Sequence, residues 1–224
     1  MIVYGKHVVM TLWHHPKRIE TVWIQKGLTL PSDATPSFPV VWLDKTDMEA
    51  KFGPDTQGMA AQIHPLKLYT LDWLMQQDPT RIVVLDGIMD PHNLGAIIRS
   101  AKAFQADALV MRKKRTAPIT PVVYKASAGL IEQLPIVEVA NIHQTLLTLK
   151  KHNIWTYGLA GEAAQSIRDL APDERLAWVL GSEGEGLSPL VKKTVDQLVK
   201  IPMHSDVESL NVSVAAAIAL YHTS

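Results

Sequence analysis

From residue 81 onward the chain alternates short, largely apolar runs, the first of them continuously so, with segments of helical periodicity, and few folds accept such a pattern. The runs are residues 82–85, 108–111, 136–139, 154–158, 177–180 and 198–201. Between them lie a stripe of Leu94, Ile97, Ile98, Ala101 and Phe104 and the helix-like stretches 122–128, 142–151, 190–194 and 210–222. A strand apolar at every position is buried on both faces, and strands separated by helices return in parallel. The expected fold class is therefore α/β, a mostly parallel sheet with helices on both faces.

Residues 1–70 read as a separate, small α/β domain. Residues 21–25 and 40–43 are strand-like, 47–52 provide one or two helical turns, and 58–63 run into His64-Pro65. Pro31, Pro36 and Pro39, with Ser32, Asp33, Thr35 and Ser37, mark a loop. Residues 71–80 read as the join, with Asp78-Pro79 ending any helix there. The second domain spans 81–224.

Composition narrows the partners little. Twenty-two basic groups balance twenty-two acidic ones, so nucleic acid would have to be held by local patches. No apolar run is long enough to span a bilayer, the first residues lack the order of a signal peptide, and the chain has no cysteine. These features fit a cytoplasmic protein without disulfides or thiolate metal sites. No HExxH-type histidine pairing occurs, so no metal is expected, and no GxSxG elbow marks a hydrolase.

In an open parallel sheet ligands collect beyond the carboxyl ends of the strands, which singles out three junctions. The first, 87–95, reads GIMDPHNLG, with Asn93 placed to cap a helix beginning near Leu94 or to act in a site. Arg99, about 240° further round the helix, falls opposite the apolar stripe and reads as a solvated side chain. The second, 181–186, reads GSEGEG. Its glycines admit a ligand to the backbone and its two carboxylates repel phosphate, so it suits a neutral or cationic ligand or is a bare surface hairpin. The third places Ser209, Asn211 and Ser213 in an apolar helix, where Ser209 reads as a cap and the others need partners or a ligand. The run Arg112, Lys113, Lys114, Arg115 after a strand is either a solvated loop or a phosphate contact.

Together the three junctions resemble the three motifs of the SpoU (TrmH) family of RNA ribose 2′-O-methyltransferases: residues 90–99 (DPHNLGAIIR), 180–187 (LGSEGEGL), and Ile201-Pro202-Met203 through 209–213 (SLNVS). Tyr4-Gly5-Lys6-His7-Val8-Val9 and Gln57-Gly58-Met59-Ala60-Ala61 resemble the substrate-binding domain found in the branch acting on large-subunit ribosomal RNA. The resemblance implies methylation of a ribose 2′-hydroxyl, of a guanosine of 23S ribosomal RNA in preference to transfer RNA, with S-adenosylmethionine as cofactor. The alternatives are a transfer-RNA enzyme or a non-catalytic RNA-binding protein of the same fold. It also implies a C-terminal trefoil knot and a homodimer. By the same resemblance Arg99, Asn93, Glu183, Ser209 and Asn211 form the active site, with Glu183 orienting Arg99 or neighbouring polar groups. Gly181, Ile201, Met203 and Leu210 are placed against the cofactor, and Arg112, Lys113 and Arg115 against RNA.

Overall fold

The computed structural model describes residues 1–30, 36–171 and 174–224. Its first sheet is built from β1 (Ile2–Tyr4), β2 (Ile19–Gln25), β3 (Val40–Leu43) and β4 (Met59–Ile63), with helices α1 (Lys6–Trp13) and α2 (Lys45–Phe52). The order is β1-β4-β2-β3, with β4 antiparallel to both neighbours and β3 parallel to β2. The strand expectations for 21–25 and 40–43 thus hold. Of the proline-rich loop, Pro31, Ser32, Asp33 and Thr35 lie outside the described residues.

The stretch 71–80 opens as helix α3 (Leu71–Gln76), where the Thr70 hydroxyl accepts from the Trp73 amide at 3.2 Å. Leu74 is buried, and Tyr69 bridges in parallel to Val137, so this join is packed on the second sheet. Asp78, with φ of 52°, ends the turn before Pro79.

The remaining elements are β5 (Arg81–Asp86), α4 (Pro91–Ala103), β6 (Ala108–Arg112), α5 (Pro121–Ala126), β7 (Ile136–Val139), α6 (Ile142–Lys151), β8 (Trp155–Leu159), β9 (Gln165–Ser166), β10 (Leu176–Gly181), α7 (Pro189–Thr194), β11 (Gln197–Lys200) and α8 (Val212–His222). The seven strands pair in parallel in the order β7-β6-β5-β10-β8-β11-β9. The short edge strand β9 carries too little apolar sequence to be legible beforehand.

Strand alternation divides the apolar residues between two layers. Val83, Leu85, Trp178 and Leu180 face α4, α5 and α8, whereas Ile82, Val84, Ala177 and Val179 face α3, α6 and α7. The first layer does not stop at the sheet. It continues through Ile131 and Leu134 into Val8 and Leu12 of α1 and Ile24 and Ile63 of the first sheet as one cluster. Thr11 donates to the Ala128 carbonyl at 3.2 Å. Arg18 makes a bidentate pair with Glu132 at 2.8 and 2.9 Å, and Tyr124 donates to the same carboxylate at 2.6 Å. Glu132 is 3% exposed, so this is a desolvated, charge-assisted strut. Burial and the neighbouring carboxylate both push the Tyr124 hydroxyl pKa upward, outweighing the lowering effect of Arg18.

Candidate active site and its family

The site forms where β5 and β10 end side by side, Asp86 opposite Gly181. After β5 the chain turns through Gly87, with φ of 89°, into α4. The cap of α4 is Asp90, whose Oδ1 accepts from the His92 amide at 3.0 Å, and Pro91 fills the first helical position. The helix therefore starts about three residues before the sequence expectation of Leu94. Asn93 is not the cap: it lies in the first turn and is only 8% exposed. Aspartate followed by proline is a stronger start signal than an asparagine three residues later.

After β10 the chain folds back on itself. Ser182 and Gly186 exchange backbone hydrogen bonds at 3.0 and 3.1 Å, making the tight hairpin 182–186. It projects Glu183 toward α4, where the Asn93 amide donates to Oε1 at 2.8 Å. The Asn93 oxygen accepts from the Asn211 amide at 2.9 Å. Asn211 is the cap of α8, its oxygen accepting from the Ser213 amide at 2.8 Å and the Ser213 hydroxyl at 2.6 Å. The capping contact fixes which end of the Asn211 amide faces Asn93, and that in turn turns the Asn93 amino group toward Glu183. A directional chain Ser213→Asn211→Asn93→Glu183 results, ending on a carboxylate.

This corrects two expectations and decides between the alternatives of a third. Ser209 is not the α8 cap; it is exposed, two residues before Asn211. Asn211 and Ser213 are not buried within an apolar helix but satisfy each other at its exposed start. Glu183 pairs with Asn93 rather than Arg99, the neighbouring-group alternative. Arg99 is exposed, with no hydrogen-bond or ion-pair partner among the described residues.

A second group of expected residues does converge. Ile201, Met203, Leu210 and Ser209 line one cavity, together with Leu159, Ala160, Gly161 and Glu208. The stretch 159–161 was missed in the sequence, although the end of a parallel strand followed by glycine was an available signal. Gly181 lies outside this lining: a Cβ there would stand 2.0 Å from the Gly186 carbonyl carbon, so the returning hairpin fills the space.

At the other side of the hairpin Asp86, 5% exposed, binds Arg112 at 2.9 Å and accepts from the Ser188 amide at 2.9 Å. Arg112 is thus engaged in the protein, whereas Lys113 and Arg115 are exposed. Asp86 was also missed; a charged residue closing an all-apolar strand is the signal that could have found it.

The segments meeting here, β5–α4, the β10 hairpin and the stretch 201–211, lie within residues 80–221, which match the sequence profile of the SpoU rRNA Methylase family. The chain belongs to that family. The 23S rRNA (guanosine-2'-O-)-methyltransferase RlmB of Pseudomonas putida is 38% identical, over 98% of this chain and 94% of its own length. The RlmB of Nitrosomonas europaea is 36% identical, over 99% and 90%. The SpoU methyltransferase AviRb of Streptomyces viridochromogenes, solved in complex with the cofactor AdoMet, superposes with a TM-score of 0.82 at 22% identity, covering 99% of this chain and 88% of that one. That likeness extends across the first sheet as well as the second.

Proposed function

We infer that the protein transfers the methyl group of S-adenosylmethionine to the 2′-hydroxyl of a ribose in RNA, with a guanosine of 23S ribosomal RNA as substrate. One observation carries this reading: the Asn211–Asn93–Glu183 chain joins residues from all three family motifs beside the cavity of Ile201, Met203 and Leu210. The relatives that act on a guanosine of 23S ribosomal RNA align over nearly the whole chain, first sheet included.

The cavity suits the cofactor chemically. Leu159, Ile201, Met203 and Leu210 offer apolar walls for an adenine ring, a Cβ at Gly161 would meet nothing within 4 Å, and the Glu208 carboxylate favours a cation. When bound, S-adenosylmethionine supplies a sulfonium-activated methyl whose departure leaves a neutral thioether. The ribose oxygen forms the new C–O bond, and its proton must leave. Arg99 cannot take that proton, because a guanidinium stays protonated. Its free charge instead grips the ribose-phosphate and stabilises the developing alkoxide. Glu183, held by Asn93, keeps the hairpin at a fixed distance from α4 and α8, and orientation of this kind supplies much of the rate in a displacement with little charge to stabilise.

Several broader features belong to the same reading. The sheet of residues 2–63 serves as an RNA-binding domain, and exposed Lys113 and Arg115 contact phosphate. β10 is inserted between β5 and β8, and the segment after β11 then returns to α4; this order supports a trefoil knot in the C-terminal part. Helix α8 is apolar almost all round, yet Val214 and Tyr221 are exposed, Tyr221 by 71%. That face supports a homodimer. No helix among the described residues is long and apolar enough to cross a membrane, and a cytoplasmic location follows from the substrate.

The test is a map of 2′-O-methylation in ribosomal RNA with and without the gene, followed by transfer of tritium from labelled cofactor to RNA from the deleted strain. Loss of one guanosine methylation and its restoration by the protein are expected. Identical maps with no tritium incorporation refute the reading.

A further inference from the structure

A cleft of about 630 Å³ opens beside the 182–186 hairpin, above the ends of β5, β6 and β10, and shares no lining residue with the cofactor cavity. It is large enough for a nucleotide. Its charges do not simply cancel. Asp86 and Arg112 neutralise each other at its floor, and Lys192 is held by Glu162 at 2.5 Å. Two side chains in its lining, Arg115 and Glu185, have no ion-pair or hydrogen-bond partner among the described residues. Arg112 adds an Nε–H that is buried without an acceptor. Met89, 59% exposed, supplies a polarisable apolar surface at the rim.

A ligand for this cleft therefore combines an anionic group, a flat apolar face and an edge of hydrogen-bond donors. Among the RNA bases only guanine places two donors, N1–H and the 2-amino group, side by side to meet both oxygens of a carboxylate. Adenine and cytosine put an acceptor beside the amino group, and uracil has one donor between two acceptors. Glu185 stands two residues from Glu183 on the same hairpin, so a base held by the first brings its ribose toward the second.

We propose that this cleft seats the target guanine, with Glu185 reading its N1–H and 2-amino edge, Met89 packing on the base face and Arg115 meeting the adjoining phosphate. The proposal rests on the function inferred above and adds a specificity-determining residue to it. Carboxylate recognition of the base edge would reject other bases by leaving Glu185 desolvated and unpaired.

The probe is a pair of synthetic RNA fragments spanning the guanosine found by the methylation map, one with guanosine and one with inosine, which lacks only the 2-amino group. The wild-type protein should prefer guanosine by about tenfold in kcat/KM, the equivalent of one charge-assisted hydrogen bond. In Glu185→Ala the preference should collapse toward unity, with the guanosine fragment losing its two contacts and about tenfold more rate than the inosine fragment, which loses only the N1–H contact, and with the KM for S-adenosylmethionine unchanged. Glu185→Gln, which keeps the shape, should also lose most of the preference and guards against a folding defect in the alanine variant. Arg115→Ala should raise the KM for both fragments equally. A wild-type guanosine-to-inosine ratio retained in both Glu185 variants overturns the proposal alone. No transfer by the wild-type protein to the guanosine fragment overturns the inferred function, and this proposal with it.

Discussion

Substituting Gly181 by alanine is the sharpest test of the hairpin's role. A Cβ at this position would lie 2.0 Å from the Gly186 carbonyl carbon, 2.2 Å from its oxygen and 2.2 Å from the Leu187 amide nitrogen. All three are backbone atoms, so no side chain can rotate away. Ordinary contact begins near 3.4 Å, and the strand or the hairpin must move by about 1.4 Å, the difference between 3.4 and 2.0. Because β10 is paired on both sides, the hairpin is the part that yields. Its two Ser182–Gly186 hydrogen bonds are worth about 1 kcal/mol each, and the expected loss of global stability is about 2–3 kcal/mol. The larger effect is on Glu183. A displacement of about 1 Å in a positioning group can cost on the order of 100-fold in rate, so kcat for methyl transfer should fall by roughly that factor. The KM for S-adenosylmethionine should change little, since Gly181 lies outside the cavity lining. The assays are tritium transfer to RNA and thermal unfolding of the same preparation. A Gly181→Ala protein with wild-type kcat would refute the idea that the hairpin is clamped by close backbone contact.

Arg99→Ala and Arg99→Lys should both lose methyl transfer while retaining cofactor binding by titration; activity surviving in the alanine variant removes Arg99 from the chemistry. Asn93→Ala breaks two partly buried hydrogen bonds and should destabilise the protein by about 2 kcal/mol in urea unfolding, with a larger loss in kcat than in cofactor affinity. Gly95→Ala would bring a methyl within 2.5 Å of the Ala126 Cβ and 2.8 Å of the Val123 carbonyl, wedging α4 from α5; a melting temperature at or above wild type would contradict that packing. Burial tends to raise the Asp196 carboxyl pKa, but hydrogen bonds from Thr156 and Lys150 outweigh it and hold the value below the usual range. Its contribution to stability is therefore present above the unfolded carboxylate pKa and is lost as pH falls through the lower folded value. Asp196→Asn should flatten melting temperature against pH in that acidic window; an unchanged profile would count against the network. Val214→Asp should convert the proposed homodimer to monomers in sedimentation, and a wild-type protein that sediments as a monomer would remove the dimer from the reading.

Much of the second half was legible because its signals are local and redundant. The runs 82–85 and 177–180 are buried on both faces, and the strands occupy the expected places within a residue or two. The site was less so. Asn93 was read one turn too late in its role because two start signals lie close together, and only the Asp90 contact decides between them. That Asn211 binds Asn93, or that Glu183 does, depends on residues 118 and 90 positions apart, and no periodicity encodes such a meeting. Asp86 escaped notice because its partners reach it from elsewhere in the chain, Arg112 from the end of β6 and Ser188 from the start of α7. The packed join at 71–80 likewise depends on Tyr69 finding Val137.

The Ser213→Asn211→Asn93→Glu183 chain also bears on how the protein comes to be active. Its two long-range links, Asn211 to Asn93 and Asn93 to Glu183, close loops of about a hundred residues, and contacts of that sequence separation form late, after the local helices and neighbouring strands have condensed. Partly folded molecules thus carry the basic loop and the first sheet before they carry an assembled site. Such species would hold RNA without modifying it. In a refolding time course, RNA binding is expected to recover ahead of methyl transfer, and simultaneous recovery of the two would argue that the site does not assemble last.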